Sequence, residues 1–314
     1  MENKASKSKS FGASILLMIA AFIWGTAFVA QSKGLEQMGN FTFLALRSYL
    51  AVIFLIPVSL FIYKNNKKKT GDGAHNENKT FLSKSLLIGG GLCGIVLCLA
   101  SASQQYGIIL SGVGKSGFLT TLYILMVPLL GLLFKRKVNP ILWLCIVVAT
   151  VGMYFLCVTD VGGIEAGDLL LILCAFFFSV QIMIVDTYVE RVDAVRLSLV
   201  QFFITAVIST IVAVAIEEIS FEAIKSAWFS IFYAGVLSSG IAFTLQIVAQ
   251  KNLNPTVASL IMSLESVFAA LAGAFFGERL SSNEILGCAL VFLAIILAQL
   301  PLEKIFKFNK KQKL

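Results

Sequence analysis

The run ILWLCIVVATVGMYFLC, residues 141–157, decides the fold class of this chain. It contains no charged side chain, and apolar and polar residues do not alternate along it. A strand of a transmembrane β-barrel requires that alternation, because its side chains face lipid and lumen in turn. A long apolar run without alternation is typical of a helix that crosses a bilayer. We therefore predict an all-α membrane protein.

Similar runs recur from end to end, and 58% of the residues are hydrophobic. Only 13% are charged, against about 25% in soluble domains. The first run follows three lysines, as in a signal peptide, but Phe28 occupies a small-residue position of a cleavage site ending at Ala30. We keep it as a membrane helix. The chain is thus predicted to be polytopic, with ten transmembrane helices at residues 11–30, 41–63, 86–109, 112–134, 141–157, 167–185, 197–216, 227–249, 255–276 and 285–300.

Basic residues indicate on which side of the membrane each loop lies. With the N-terminus inside, the cytoplasmic segments hold 20 of the 25 Lys and Arg residues, whereas the outer loops hold three. This bias is the positive-inside rule, and it accounts for the net charge of +8 without a nucleic-acid partner. We predict a multi-pass protein of the cell membrane with both termini in the cytoplasm. Its cytoplasmic segments include the N-terminal tail 1–10, the loop 64–85 and the basic tail 301–314.

The cysteines and the histidine give no sign of a cofactor. All six cysteines fall inside predicted helices without a C-x-x-C spacing, and the single histidine, His75, lies in the polar loop 64–85. Buried cysteines of this kind are usually small packing residues. No phosphate-binding loop, catalytic Ser/His/Asp set or metal-ligand spacing is present. We expect no cofactor, no metal and no enzymatic activity.

The two halves of the chain match each other weakly but in order. AAFIWGTAFVA, residues 20–30, matches CAFFFSVQIMI, residues 174–184, at a shift of 154 residues. Beyond the polar loop the shift is 142, which pairs Gln104 with Gln246. Each half has five predicted helices, so the second half enters the membrane from the opposite side. We therefore predict two inverted repeats, residues 11–157 and 167–300, as in many secondary transporters.

Three stretches resemble the EamA-type transporters of the drug/metabolite transporter superfamily. They are WGTAFVA with FLALRSYL in the first two helices, GKSGFLTTLYILMVPLLGLLF in the fourth, and SLESVFAALAGAFFGERLSSNEILGCALV from the ninth to the tenth. The resemblance covers nearly the whole chain and implies a ten-helix, two-repeat carrier that moves a small metabolite, most often outward. The family commonly has proline after the glutamate of the ninth helix, but this chain has Ser266 there. Pro128 in the fourth helix removes one backbone bond and bends that helix.

We consider the three deepest ionisable residues of the predicted helices, where a charge costs roughly 2.5 to 3.5 kcal/mol. Glu265 is ten residues from Pro255, about 15 Å along the helix and hence near the midplane. We predict a proton or cation site at Glu265; the alternative is a carboxyl bonded to a neighbouring helix or paired with a lysine. Arg47 and Lys115 enter from the outer side. They would make that half of a cavity electropositive and favour an anionic group, unless they extend outward to the headgroups.

Glutamines and aromatic residues complete the predicted substrate site. Gln104 and Gln246 can donate and accept hydrogen bonds, which suits a polar molecule, although interhelical bonding is the alternative. Trp24 and Tyr123 offer aromatic walls, or else plain packing.

The leading hypothesis for function is a secondary carrier that exports a small polar organic metabolite, such as an amino acid or a related compound, by alternating access. We expect a proton as the coupling ion and membrane lipid around the protein. The carrier is expected to be a monomer or a homodimer. A membrane-embedded enzyme for lipid or isoprenoid substrates is one alternative, but it would need clustered Asp or His at a membrane face. A flippase for lipid-linked substrates is the other, and composition leaves it open.

Overall fold

The computed structural model describes residues 2–70, 81–136, 138–157, 165–275 and 281–299. Across these residues the chain is helical and contains no strand. Helices suit a bilayer because each one bonds its own backbone N–H and C=O groups. Residues 71–80 of the predicted cytoplasmic loop, the segment 276–280 that carries Gly277, Glu278 and Arg279, and the basic tail lie outside the described residues.

The described helices follow the predicted spans in order. They are α1 (Glu2–Leu35), α2 (Asn40–Thr70), α3 (Lys84–Thr121), α4 (Tyr123–Leu133), α5 (Pro140–Cys157), α6 (Ala166–Tyr188), α7 (Ala194–Ile216), α8 (Phe221–Ser226), α9 (Trp228–Phe232), α10 (Phe243–Gln250), α11 (Pro255–Met262), α12 (Leu264–Phe275) and α13 (Ser282–Gln299). A π-helical segment, Tyr233–Ala242, joins α9 to α10.

Within the described residues, eight helical segments are long and apolar enough to cross a membrane. Two shorter apolar helices, Pro140–Phe155 and Ile285–Ala298, stand at the predicted fifth and tenth spans. At a rise of 1.5 Å per residue they are about 21 to 24 Å long, whereas the hydrocarbon layer is about 30 Å thick. The chain is therefore a multi-pass membrane protein, and the eight long segments are its candidate spans.

Two of the spans are interrupted within one residue of equivalent places in the repeat. Leu122 separates α3 from α4, and Ser263 separates α11 from α12. At both positions a carbonyl accepts from the residue three places on, at 3.0 Å from Leu125 N to Leu122 O and 3.2 Å from Ser266 N to Ser263 O. Such tighter turns change the direction of a helix. The ninth span is thus interrupted without the proline that the family usually has.

Contacts between helices occur in matched sets. The π-helical segment packs on α1 as α3 packs on α6, and α12 packs on α1 as α4 packs on α6. The pairs α2 with α7 and α5 with α13 also pack together. By the shifts found in the sequence, each helix of these two pairs is the counterpart of its partner. Corresponding helices of the two halves therefore make corresponding contacts.

The start of α2 is capped by the other half of the chain. Glu217, at the end of α7, accepts from the backbone N–H groups of Phe41 and Thr42 at 2.8 Å each, and from the Thr42 hydroxyl at 2.7 Å. At the equivalent start of α7, Asp193 accepts from Arg196 N at 3.0 Å. The first residues of a helix leave N–H groups unpaired, and a carboxylate satisfies them. Glu217 thereby fixes the beginning of α2, which carries Arg47.

The Gly90-x-x-x-Gly94 spacing in α3 predicts close helix packing, and the structure confirms it. A Cβ atom built on Gly90 would lie 2.6 Å from Val200 Cβ, and one on Gly94 would lie 2.6 Å from the Gln201 carbonyl oxygen. Gly91, on another face of α3, has nothing within 4 Å of such an atom. The missing side chains therefore let α3 and α7 approach closely.

We expect Gly94→Ala to lower the free energy of unfolding by roughly 1 to 3 kcal/mol, because the new methyl group overpacks against a backbone oxygen. Gly91→Ala is the matched control on the same helix and leaves stability unchanged or slightly higher. Thermal melting of the detergent-solubilised variants measures both effects. Equal melting temperatures for the two variants would contradict this packing of α3 on α7.

Candidate functional site

A cavity lined by residues of both halves lies within the helices. Six of the seven predicted site residues line it, and Lys115 does not. The lining residues are Trp24, Phe28, Gln31, Arg47, Ser101, Gln104, Thr120, Tyr123, Phe178, Gln181, Ile182, Ser238, Phe243, Gln246, Met262 and Glu265.

Most of this wall is built from equivalent positions of the two halves. Six pairs of lining residues stand 154 or 142 residues apart, the two shifts of the sequence repeat. The pairs are Trp24 with Phe178, Phe28 with Ile182, Ser101 with Phe243, Gln104 with Gln246, Thr120 with Met262, and Tyr123 with Glu265. The duplication therefore extends into the cavity itself, while the paired side chains differ in chemistry.

Arg47 forms one charged position of the cavity. Its side chain is buried, with 4% of the residue exposed, and donates to Gln31 Oε1 at 2.6 Å, Ser239 Oγ at 3.1 Å and Ser238 Oγ at 3.3 Å. These acceptors are neutral, and within the described ranges no carboxylate forms an ion pair with Arg47. The guanidinium group therefore keeps its charge inside a polar but uncharged cradle.

The π-helical segment explains how two consecutive serines reach the same guanidinium group. A π-helix is wound more widely than an α-helix and is frequent at functional sites. Here it presents Ser238 and Ser239 to Arg47, while the Ser238 carbonyl oxygen accepts from Trp24 Nε1 at 3.3 Å. The segment thus connects Arg47 to the aromatic wall.

Glu265 is the second ionisable residue of the cavity. It is 5% exposed, and its Oε1 atom accepts from the Tyr123 hydroxyl at 3.3 Å. The expected proximity of Tyr123 and Glu265 is therefore observed. No Lys, Arg or His of the described chain pairs with this carboxyl group. Its alternative role as the partner of a lysine is not supported by these contacts.

A close approach of α1 to α12 brings Trp24 and Glu265 into the same cavity. A Cβ atom on Gly25 would lie 2.6 Å from the Glu265 carbonyl oxygen and 2.7 Å from Phe268 Cβ. The absence of a side chain at Gly25 therefore permits the contact. Trp24 then packs edge-on against Phe243, with ring centroids 4.9 Å apart.

Glutamines line the cavity wall nearest the C-terminal ends of α6 and α10. Gln246 donates to both Gln181 and Gln250 at 3.1 Å, and Gln181 donates to Gln201 at 3.3 Å. Gln201 Nε2 is buried and has no partner in the described structure. Gln246 therefore lines the cavity and also bonds a neighbouring helix. Gln104 lines the cavity from α3.

Lys115 has a different place from the one expected. Its Nζ atom lies 2.6 Å from Asp168 Oδ2, and its side chain is 29% exposed. Asp168 also accepts from the Ser111 hydroxyl at 2.8 Å and from Glu165 N at 3.1 Å. The pair joins the start of the fourth span to the start of α6 and neutralises the lysine. An electropositive half of the cavity would therefore depend on Arg47 alone.

A family model described as the EamA-like transporter family matches residues 12–158 and, a second time, residues 165–300. The chain belongs to the EamA-like transporter family. The resemblance drawn from the three sequence stretches is thereby confirmed, and a general transport function is supported.

Relatives of this EamA-like transporter have similar lengths. It is 27% identical over 299 residues to an "Uncharacterized transporter" of Archaeoglobus fulgidus, covering 93% of this chain and 87% of the relative. It is 22% identical over 292 residues to the "Uncharacterized transporter YoaV" of Bacillus subtilis, covering 90% and 94%. A solved crystal structure has a similar fold, with a TM-score of 0.72, 17% identity, and coverage of 91% of this chain and 96% of that chain.

Several lining residues were not among the predicted site residues. The repeat could have predicted Phe178, because the shift of 154 residues makes it the counterpart of Trp24. Gln31, Ser238 and Ser239 gave no comparable signal, since their importance depends on the π-helical segment and on the position of Arg47. Small polar residues inside an apolar span are common, and sequence alone does not separate those that face a cavity.

We expect Lys115→Met to lower the free energy of unfolding by roughly 1 to 3 kcal/mol, because it removes a charged hydrogen bond from a buried carboxylate. Transport affinity should not change, since Lys115 does not line the cavity. Lys33→Met, at an exposed lysine, is the control and leaves both quantities unchanged. Melting curves and transport in proteoliposomes measure them. A Lys115→Met protein with native stability and weakened substrate affinity would contradict the assignment.

Proposed function

We propose that this EamA-like transporter is a secondary carrier that exports a small polar organic metabolite across the cell membrane by alternating access. The observation that carries the proposal is the cavity whose wall is assembled from equivalent positions of both halves. Such a site lets one half rock against the other while the substrate stays between them. The outward direction is proposed from the family resemblance.

We further propose ten crossings in two inverted repeats. The twofold match of the family model, the matched helix contacts and the paired cavity residues all support this arrangement. The two shorter helices, α5 and α13, pack on each other and are counterparts in the repeat. A short membrane helix is accommodated by local thinning of the bilayer or by its flanking residues.

Glu265 is the proposed coupling residue. An ionised carboxylate inside a membrane protein is unfavourable unless it is paired or solvated. The structure gives it one neutral partner, the Tyr123 hydroxyl. In one state of the carrier we assign a proton to Glu265, and in the other state the proton leaves or is replaced by a cationic group of the substrate.

Two other functions compete with this proposal. A lipid-processing enzyme would return its substrate chemically changed, so mass spectrometry of the recovered compound distinguishes it from a carrier. A flippase would act on a lipid-linked compound and ignore free metabolites. Transport of an unmodified water-soluble metabolite into or out of proteoliposomes would favour the carrier over both, and failure with every such metabolite would contradict it.

The proposed orientation predicts which introduced cysteines react from outside. In a background without the native cysteines, Lys33→Cys in intact cells should react with a membrane-impermeant maleimide, whereas Lys84→Cys should react only after permeabilisation. Both lysines are exposed, and the positive-inside rule assigns them to opposite sides. Labelling of Lys84→Cys from outside would show that the orientation is wrong.

The coupling proposal predicts a specific defect in Glu265→Gln. The amide resembles the protonated acid but cannot release a proton, so transport driven by a pH gradient should be lost while substrate exchange at equal pH is retained. Glu218→Gln is the control, because Glu218 is exposed and lies outside the cavity. Flux of labelled substrate in proteoliposomes, with and without the gradient, measures the effect. Unchanged rate and pH dependence in Glu265→Gln would make the residue structural.

A further inference from the structure

We propose that Ser266 is a positioning residue: its hydroxyl ties the ninth span to the fourth beside the helix interruptions, and thereby holds the Glu265 carboxyl against Tyr123. The inference deepens the proposed coupling role of Glu265 and rests on it. It gives a function to the serine that stands where the family commonly has proline.

The contacts of Ser266 reach from one span to the other. Ser266 lies in the first turn of α12, directly after Glu265, and 1% of the residue is exposed. Its Oγ atom lies 3.0 Å from the Gly117 carbonyl oxygen and 3.3 Å from Thr121 Oγ1, both in the fourth span. A hydroxyl has one proton to donate, so these two acceptors share it. Hydrogen bonds of this kind help to hold membrane helices together.

The interruption of the fourth span orients the other side of this bridge. Leu122 N donates three places back along the helix, at 3.3 Å, and not to the Phe118 carbonyl four places back. The Thr121 hydroxyl lies 2.8 Å from that Phe118 oxygen and can donate to it. A buried carbonyl without a partner is unfavourable, so this contact fixes Thr121 Oγ1 beside Ser266. The bridge therefore depends on the irregular backbone at Leu122.

Glu265 and Ser266 contact the fourth span on the two sides of Leu122. The Glu265 carboxyl accepts from Tyr123, which follows Leu122, and the Ser266 hydroxyl donates to Thr121, which precedes it. Glu265 and Tyr123 line the cavity, whereas Ser266 and Thr121 are not among the lining residues. The 3.3 Å between the Glu265 and Tyr123 oxygens is long for such a bond. A slight separation of the spans would break it, and the Ser266 bridge prevents that separation.

The bridge is uncharged and occurs once. Neither hydroxyl changes its charge when Glu265 gains or loses a proton, so the bridge holds the two spans together in both protonation states. By the shift of 142, the counterpart of Ser266 is Ile124, which has no hydroxyl. The counterpart of Thr121 is Ser263, whose hydroxyl donates within its own span at 2.7 Å. The bridge therefore accompanies the one carboxyl group at this level of the repeat.

The test measures how readily the Glu265 carboxyl reacts. Dicyclohexylcarbodiimide, an apolar reagent that enters membranes, adds to carboxyl groups. Mass spectrometry of the peptide that contains Glu265 gives the rate at fixed pH in the purified full-length protein. A carboxyl bonded to Tyr123 reacts more slowly than a released one. We expect Ser266→Ala to raise the rate by roughly threefold to tenfold, as for the loss of one net hydrogen bond.

Two further variants test the bridge itself. Ser266→Pro introduces the residue common in the family, which interrupts a helix but has neither a hydroxyl nor an N–H group. It should raise the rate as Ser266→Ala does. Thr121→Val keeps the shape of the side chain, removes its hydroxyl and leaves the ninth span unchanged. It should raise the rate as well, and it tests the bridge even where a change at Ser266 prevents folding.

Controls separate positioning from a general loss of stability. Ser259→Ala removes a buried hydroxyl that bonds within the ninth span, and Gly94→Ala disturbs packing between α3 and α7. Both should leave the rate at Glu265 unchanged. Tyr123→Phe removes the contact itself and should raise the rate as Ser266→Ala does. The double variant should show no further increase, because Ser266 acts through the contact of Tyr123 with Glu265.

A native rate in both Ser266→Ala and Thr121→Val would overturn the inference. So would a native rate in Ser266→Pro, which would mean that the position only interrupts the helix, or a double variant whose increase is the product of the single ones. Failure of the proposed coupling has a different signature, because then Glu265→Gln keeps transport driven by a pH gradient. The reaction rates at Glu265 are measured without any transported substrate and report on the bridge in either case.

Discussion

Two ionisable side chains, Arg47 and Glu265, are buried in the membrane-spanning part of this chain without an oppositely charged neighbour in the described structure. Placing such groups at membrane depth is unfavourable unless the protein supplies polar partners or a cavity. The π-helical segment gives Arg47 its two serines, and Tyr123 gives Glu265 its hydroxyl. The helix interruptions at Leu122 and Ser263 lie beside Tyr123 and Glu265. Much of the irregular backbone therefore lies next to these buried polar groups.

The duplicated halves form the helices around the cavity, and positions at which the halves differ carry its ionisable side chains. The two halves contribute paired positions to one cavity, but Trp24 stands opposite Phe178 and Glu265 opposite Tyr123. Arg47 and Glu265 each occur once in this wall, while the helices around it make matched contacts. A rocking motion between the halves requires that the same helices can pack in two equivalent arrangements.

The sequence predicted more of this fold than of the site. Uninterrupted apolar runs indicate where membrane helices lie, and the repeat shift of 142 relates Tyr123 to Glu265 and Gln104 to Gln246, which all line one cavity. Depth along a helix correctly selected Arg47 and Glu265 as buried. For Lys115 the sequence left the cavity and the headgroup region both open, and the structure pairs it with Asp168 of the next helix. The serine cradle of Arg47 was also beyond prediction, since it depends on a π-helical winding that no residue pattern in the chain indicates.

We propose that one cavity, built by both halves, opens in turn to each side of the membrane. Ser101 lines it and is buried, and Ser101→Cys is nearly isosteric. In a background without the native cysteines, the measurement is the rate at which an impermeant thiol reagent modifies this cysteine in right-side-out and in inverted vesicles. Alternating access predicts modification from both sides, with the ratio of the two rates shifted by the transported substrate. Modification from only one side, whatever the substrate or pH gradient, would contradict the account.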